Sequence, residues 1–113
     1  MKTRSAKNKG KRLQNQVRDK ILTAYPILKK DDDVKSTTMG ESGTDIQLST
    51  EAKRLFPFSI ECKNQEKLSI WSSLNQGEKN CHPNTTSLLV FKRNRSKIYA
   101  VLEFDEFLRL INK

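Results

Sequence analysis

Residues 40–48 read Gly-Glu-Ser-Gly-Thr-Asp-Ile-Gln-Leu, and residues 58–65 read Phe-Ser-Ile-Glu-Cys-Lys-Asn-Gln. Side chains alternate between the two faces of an extended strand. Each stretch therefore has one polar face, which carries Asp45 in the first and both Glu61 and Lys63 in the second, while the apolar neighbours point towards a core. If the two strands lie side by side, two carboxylates and one ammonium group meet on a single face.

This set of charges has a specific chemistry. Two carboxylates with open coordination positions suit Mg²⁺, a hard ion that takes oxygen ligands and borrows phosphate oxygens from a substrate. A neighbouring lysine orients or deprotonates a water, or neutralises charge that develops on a phosphate. We therefore identify Asp45, Glu61 and Lys63 as candidate catalytic residues, with Mg²⁺ as the cofactor and Mn²⁺ as a substitute.

The spacing Asp45, Glu61-Cys62-Lys63 resembles the signature of the PD-(D/E)xK nuclease superfamily, with Thr44 in the place of the proline. The wider pattern, from Lys9 to about Leu110, is similar to small phage endonucleases and archaeal-type Holliday-junction resolvases. The resemblance implies a metal site formed by Asp45, Glu61 and the backbone carbonyl of Cys62.

The resemblance also implies polar residues that support the site. Related nucleases often carry a glutamate on the first helix, and this chain offers Gln14 or Gln16 there instead. The glutamines are equally well explained as solvated side chains. The supporting candidates are Gln14, Ser42, Gln65 and Gln76.

The periodicity of apolar residues predicts an α/β (α+β) fold, a mixed central sheet flanked by helices in the order αβββαββα. The resemblance implies that this sheet is a restriction-endonuclease-like core. The expected helices cover about 11–25, 67–79 and 104–111, and the expected strands cover 34–38, 45–48, 58–63, 87–91 and 98–102. The strands of Asp45 and Glu61 are expected to be antiparallel neighbours. Ser49 or Thr50 is expected to cap a short helical turn, and Trp71 is expected to face the core.

At 113 residues the chain is long enough for one domain. We divide it into a basic, flexible segment at 1–12 and a single nuclease domain at 13–113. The net charge of +9 favours a polyanionic partner, with nucleic acid ahead of an anionic membrane. The residues expected to contact a nucleic-acid backbone are Lys7, Lys9, Lys11, Arg12, Lys92, Arg93 and Arg95.

No apolar run approaches the roughly 20 residues of a membrane span, and no signal peptide is apparent. The chain has two cysteines, which do not indicate a disulfide framework. We expect a cytoplasmic protein (the host cytoplasm if phage-encoded) that binds neither a membrane nor a small-molecule cofactor.

These features predict a Mg²⁺-dependent DNA endonuclease, of phage type and specific for branched DNA such as a Holliday junction, acting as a homodimer. Two alternatives stay open: a sequence-specific homing or restriction-like endonuclease, and a nucleic-acid-binding module without catalysis. RNA also stays open as a substrate.

Overall fold

The longest element is helix α1, Arg4–Ala24, in the computed structural model, which describes residues 4–38 and 43–112. Its apolar face buries Leu13, Val17 and Ile21, which recur every four residues as a helix requires. The helix begins before the expected start near residue 11. Adding residues to a formed helix costs little, and Lys, Arg and Ala are good helix formers, so the basic segment from Arg4 onwards continues the same helix.

The strands form two small sheets. In the first sheet, β1 (Val34–Ser36) pairs antiparallel with β2 (Ile46–Leu48). In the second sheet, β3 (Phe58–Asn64) and β4 (Thr86–Lys92) are parallel, and β5 (Tyr99–Val101) is antiparallel to β4.

Three further helices complete the described part of the chain. They are α2 (Thr50–Leu55), α3 (Ile70–Lys79) and α4 (Phe104–Ile111). Ser49 caps α2 by accepting a hydrogen bond of 3.1 Å from the amide of Ala52, as the sequence predicts. The architecture is a compact α+β globule, and α3 makes the crossover that a parallel pair such as β3–β4 needs.

One expected pairing is wrong. The strands of Asp45 and Glu61 do not form a continuous antiparallel ladder within a single sheet. The amide of Asp45 donates to the carbonyl of Ile60 at 3.0 Å, but the amide of Cys62 donates to the Asp45 side chain at 2.6 Å. The carbonyl of Asp45 is taken by the amide of Thr37 at 2.9 Å. Asp45 is thus bonded to both neighbours of Glu61, to Ile60 through its amide and to Cys62 through its side chain, which is the bonding pattern of a parallel contact and not of an antiparallel one.

A second expectation is also wrong, because Trp71 is 79% exposed and lies outside the core. The buried residues of α3 are Ser73 and Gly77. The helix therefore turns its small residues, and not its large apolar ones, towards the sheet. A face of small side chains permits the close approach of α3 to β3 and β4.

The hydrophobic core lies between α1 and the opposite face of β3. Ile60 and Cys62 point into it beside Leu13 and Val17, and Val90 of β4 extends it. The alternation along β3 consequently directs Glu61 to the face that α3 covers. No helix among the described residues is long and apolar enough to cross a membrane.

Candidate functional site

Glu61 lies in the middle of β3 with only 2% of its surface exposed. Its Oε1 atom accepts a hydrogen bond of 3.1 Å from Nδ2 of Asn80, the residue that ends α3. Gly77 lies against the same side chain, since a Cβ atom there would be 3.3 Å from Cγ of Glu61 and 2.8 Å from Oγ of Ser87. The end of α3 thus fixes both the position and the orientation of this carboxylate.

Asp45 is the residue immediately before β2, and it carries the second carboxyl group of the site. Its Oδ2 atom accepts the 2.6 Å hydrogen bond from the amide of Cys62, a short distance that is typical of a charged acceptor. The bond holds the Asp45 carboxyl beside the residue that follows Glu61. The negative charge of Asp45 is close enough to Glu61 to influence its carboxyl group.

Burial raises the pKa of the Glu61 carboxyl above its ordinary value. The hydrogen bond from Asn80 opposes the rise, the negative charge of Asp45 adds to it, and the positive charge of Lys63 opposes it. Burial raises the pKa of the Cys62 thiol well above its ordinary value, and the negative charges of Asp45 and Glu61 add to the rise. The site therefore gathers negative charge in a place where water does not compensate it.

Lys63 follows on the same face of β3 as Glu61. Together with Cys62 it lines a cavity of about 280 Å³ at the end of β3, next to the first turns of α1. Asn64 and Gln65 line it too. Nδ2 of Asn64 donates to the carbonyl of Lys9 at 3.2 Å, which ties α1 to the end of β3. Oδ1 of Asn64 is buried and has no hydrogen-bond partner in the described protein. A buried acceptor of this kind calls for a donor from solvent or a ligand.

The other supporting candidates occupy different places. Oε1 of Gln14 accepts a hydrogen bond of 3.0 Å from Ser36, whose hydroxyl also accepts 3.0 Å from the ammonium of Lys11. This network lies at the end of β1, next to the backbone that pairs with Asp45. Gln76 is exposed on α3. Ser42 lies outside the described residues.

The basic residues also divide into two groups. Lys11 is committed to the protein itself, since its ammonium donates to the carbonyl of Thr37 at 2.9 Å as well as to Ser36. The exposed cations, whose charge is available to a partner, include Lys7, Arg12, Arg93 and Arg95. Lys9 and Lys92 are half-buried.

Sequence reasoning missed Asn80 and Gly77. Their positions depend on which face of α3 packs against the sheet. The large apolar residues Leu68, Trp71 and Leu74 indicate a different face from the one that is buried. The signal that could have found them is the small residue at 77, followed three positions later by an amide at the helix end.

The donor set fits a hard divalent cation. Two neighbouring carboxylates are stabilised by a shared proton or by a cation between them, and Mg²⁺ is usually bound by one or two protein carboxylates. No group of three or more His, Cys, Asp or Glu that could hold a metal occurs in the ranges 4–38 and 43–112. The sequence predicts the backbone carbonyl of Cys62 as a third oxygen ligand. Cys62 lies on β3 between Glu61 and Lys63.

Comparisons with protein-family models, with curated proteins and with solved structures found no match to this chain. The functional argument therefore rests on the residues of the site.

Proposed function

We propose that this chain is a Mg²⁺-dependent endonuclease that hydrolyses phosphodiester bonds of DNA in the cytoplasm. The observation that carries the proposal is the hydrogen bond of 2.6 Å from the amide of Cys62 to Oδ2 of Asp45, which holds this carboxyl group beside Glu61 and Lys63 on β3. The motif resemblance and the net charge of +9 support the same conclusion. A restriction-endonuclease-like core is part of this proposal.

Each residue has a separate role. Asp45, Glu61 and the backbone carbonyl of Cys62 would hold the metal. When bound, Mg²⁺ supplies an acidified water and neutralises charge at the phosphate. Asn80 keeps the Glu61 carboxylate turned towards Asp45. Lys63 stabilises negative charge on the phosphate or orients the attacking water.

Branched DNA is the substrate that we propose, and a homodimer is the acting form. Resolution of a four-way junction needs cuts in two strands, and one site cuts one strand. A second copy has an apolar surface to bind, because Phe104, Phe107 and Ile111 of α4 are 69%, 44% and 64% exposed. Exposed apolar side chains grouped on one helix are typical of an interaction surface.

The experiment incubates the purified protein with Mg²⁺, Mn²⁺ or EDTA and a panel of linear, nicked, flapped and four-way DNA, with RNA of matching sequence. We expect metal-dependent cleavage that Asp45→Asn, Glu61→Gln and Lys63→Ala each abolish. Because removing an acid reduces repulsion of phosphate, the two amide variants should bind DNA at least as well as the parent.

The matched controls are Asp32→Asn and Lys30→Ala, which remove the same charges from exposed positions outside the site. Both should cut at the parental rate. A parent that cuts no nucleic acid in either metal, or an Asp45→Asn variant as active as its parent, would refute the endonuclease and leave the non-catalytic binding module.

A further inference from the structure

Three neighbouring cavities, which we together call the basic depression, lie along the ends of β3 and β4, and the first of them is at Lys63. The cavity of about 280 Å³ at Lys63 shares Gln65 with a second cavity of about 160 Å³. The second shares Lys92 and Ser96 with a third of about 500 Å³. The amide of Gln65 donates to the carbonyl of Lys92 at 3.1 Å, so the walls of the depression are joined by backbone.

The third cavity has the largest volume of the three, and no acidic residue lines it. Its lining consists of Gln16, Lys20, Lys92, Ser96, Lys97 and Ile98. It lies between α1 and the turn that connects β4 to β5, which brings Lys20 near Lys97 although they are far apart in sequence. The middle cavity adds Arg93 and one acid, Glu66, whose carboxylate accepts a hydrogen bond of 2.6 Å from the amide of Asn94.

We propose that this depression is a track for a phosphodiester backbone, in which Lys20 and Lys97 bind phosphates remote from the cleaved bond. The chemistry is non-specific: ammonium groups and polar side chains contact phosphates and position a strand, but do not read its bases. The inference rests on the proposed function for the location of the cleaved bond. It extends the binding surface to Lys20, Lys97 and Gln16, beyond the cations that the sequence singles out.

The test measures binding without cleavage, in EDTA, by fluorescence anisotropy with labelled duplexes of DNA and of RNA in the same sequence. Each phosphate contact contributes about −0.9 to the slope of log K against log salt on duplex DNA. Lys20→Ala/Lys97→Ala should therefore weaken binding and make the slope shallower by about 2. Lys20→Arg/Lys97→Arg should restore both the affinity and the slope.

The control is Lys30→Ala/Lys53→Ala, which removes an equal charge from positions that do not line the depression. Lys53 lies on α2, which leads into the start of β3, and Lys30 bridges to Val34 at the start of β1. The track is refuted if both double variants lose the same affinity and slope, or if the parent binds neither duplex. If the lysine pair weakens binding to only one of the two duplexes, the result supports the track and shows whether it binds DNA or RNA.

This design tests the phosphodiester track and the endonuclease activity independently. A parent that cuts in Mg²⁺ while the lysine pair has no effect on binding would leave the endonuclease and remove the track. A parent that does not cut, but loses its salt slope with Lys20 and Lys97, would leave the track and remove the endonuclease.

Discussion

Asn80 and Glu61 are joined by a hydrogen bond of 3.1 Å that connects the end of α3 to the middle of β3. The amide group of Asn80 is a neutral donor beside a buried carboxylate, so it stabilises the charged form without cancelling its charge. A cation can then be bound by the oxygens of Glu61 and Asp45. Asn80 is accordingly a positioning residue of the proposed site.

We expect Asn80→Ala to raise the Mg²⁺ concentration for half-maximal cleavage by about tenfold or more, as for other residues that orient metal ligands. The rate at saturating Mg²⁺ should change less. Titration of the DNA-free protein with Mn²⁺ by calorimetry checks the affinity independently of activity. Asn75→Ala, an exposed amide on the same helix, is the control. Equal metal affinity in both variants would show that Asn80 has only a structural role.

Gly77 should tolerate no side chain, because its Cβ would lie 2.8 Å from Oγ of Ser87. We expect Gly77→Ala to lower the free energy of unfolding by about 1–3 kcal/mol, the usual cost of overpacking. Gly10→Ala is the control: its Cβ meets nothing within 4 Å, so it should stabilise α1 by about 0.5–1 kcal/mol. Urea denaturation followed by circular dichroism measures both.

A further variant separates overpacking from helix propensity at position 77. Ser87→Ala removes the hydroxyl oxygen that the new methyl group would meet, so Gly77→Ala/Ser87→Ala should recover part of the lost stability. If Gly77→Ala is as stable as the parent, α3 lies farther from β3 than the structure has it.

Asp33 should make the stability of the fold depend on pH. Its Oδ2 atom accepts from the amide of Lys29 at 2.8 Å and its Oδ1 atom from Oγ of Ser49 at 2.7 Å. The hydrogen bond from the Lys29 amide, followed by that from Ser49, lowers the pKa of Asp33 below its ordinary value of 3.8. A lowered pKa contributes stability above the ordinary value, and that contribution is lost as the pH falls through the lower pKa of the folded state.

We therefore expect Asp33→Asn to be less stable than the parent at pH 7, and the difference to shrink as the pH is lowered from about 4 to 3. Urea denaturation over a pH series measures it. Asp32→Asn removes the same charge from an exposed neighbour and serves as the control. A constant difference between Asp33→Asn and the parent across the series would contradict the expectation.

The proposed dimer should depend on the apolar face of α4. We expect Phe107→Ser/Ile111→Ser to be monomeric by light scattering and to keep the circular dichroism spectrum of the folded parent, because neither side chain is buried within one chain. Ile27→Ser changes an exposed apolar residue elsewhere, 76% accessible, and should leave the dimer intact. A parent that is monomeric at micromolar concentration would remove α4 as the basis for a dimer.

Strong local patterns predict much of this fold. The β3 stretch, the apolar run of β4 and the closing helix α4 appear where periodicity places them, α4 with the expected ends. The alternation around Glu61 also predicts that Glu61 and Cys62 point in opposite directions. These features depend on residues that are close in sequence, so the periodicity of apolar residues predicts them.

Features that depend on tertiary contact escape the same reasoning. The phase of α3 is decided by the space available above Glu61, so Gly77 faces the sheet and Trp71 faces solvent. The extension of α1 to well before residue 11 depends on its anchorage by Asn64 and Lys11 to distant strands. The link from Asp45 to β3 uses the side chain of Asp45 as the acceptor for the amide of Cys62, which no periodicity contains.

The parallel pairing of β3 with β4 sets an order for biosynthesis. On a ribosome β3 emerges before α3 and β4, and a parallel strand has no partner until the whole crossover has been made. Asn80, which donates a hydrogen bond to Glu61, emerges in the same interval. A nascent chain therefore carries Glu61 on an unpaired strand, and the site is completed only after β4 has been translated.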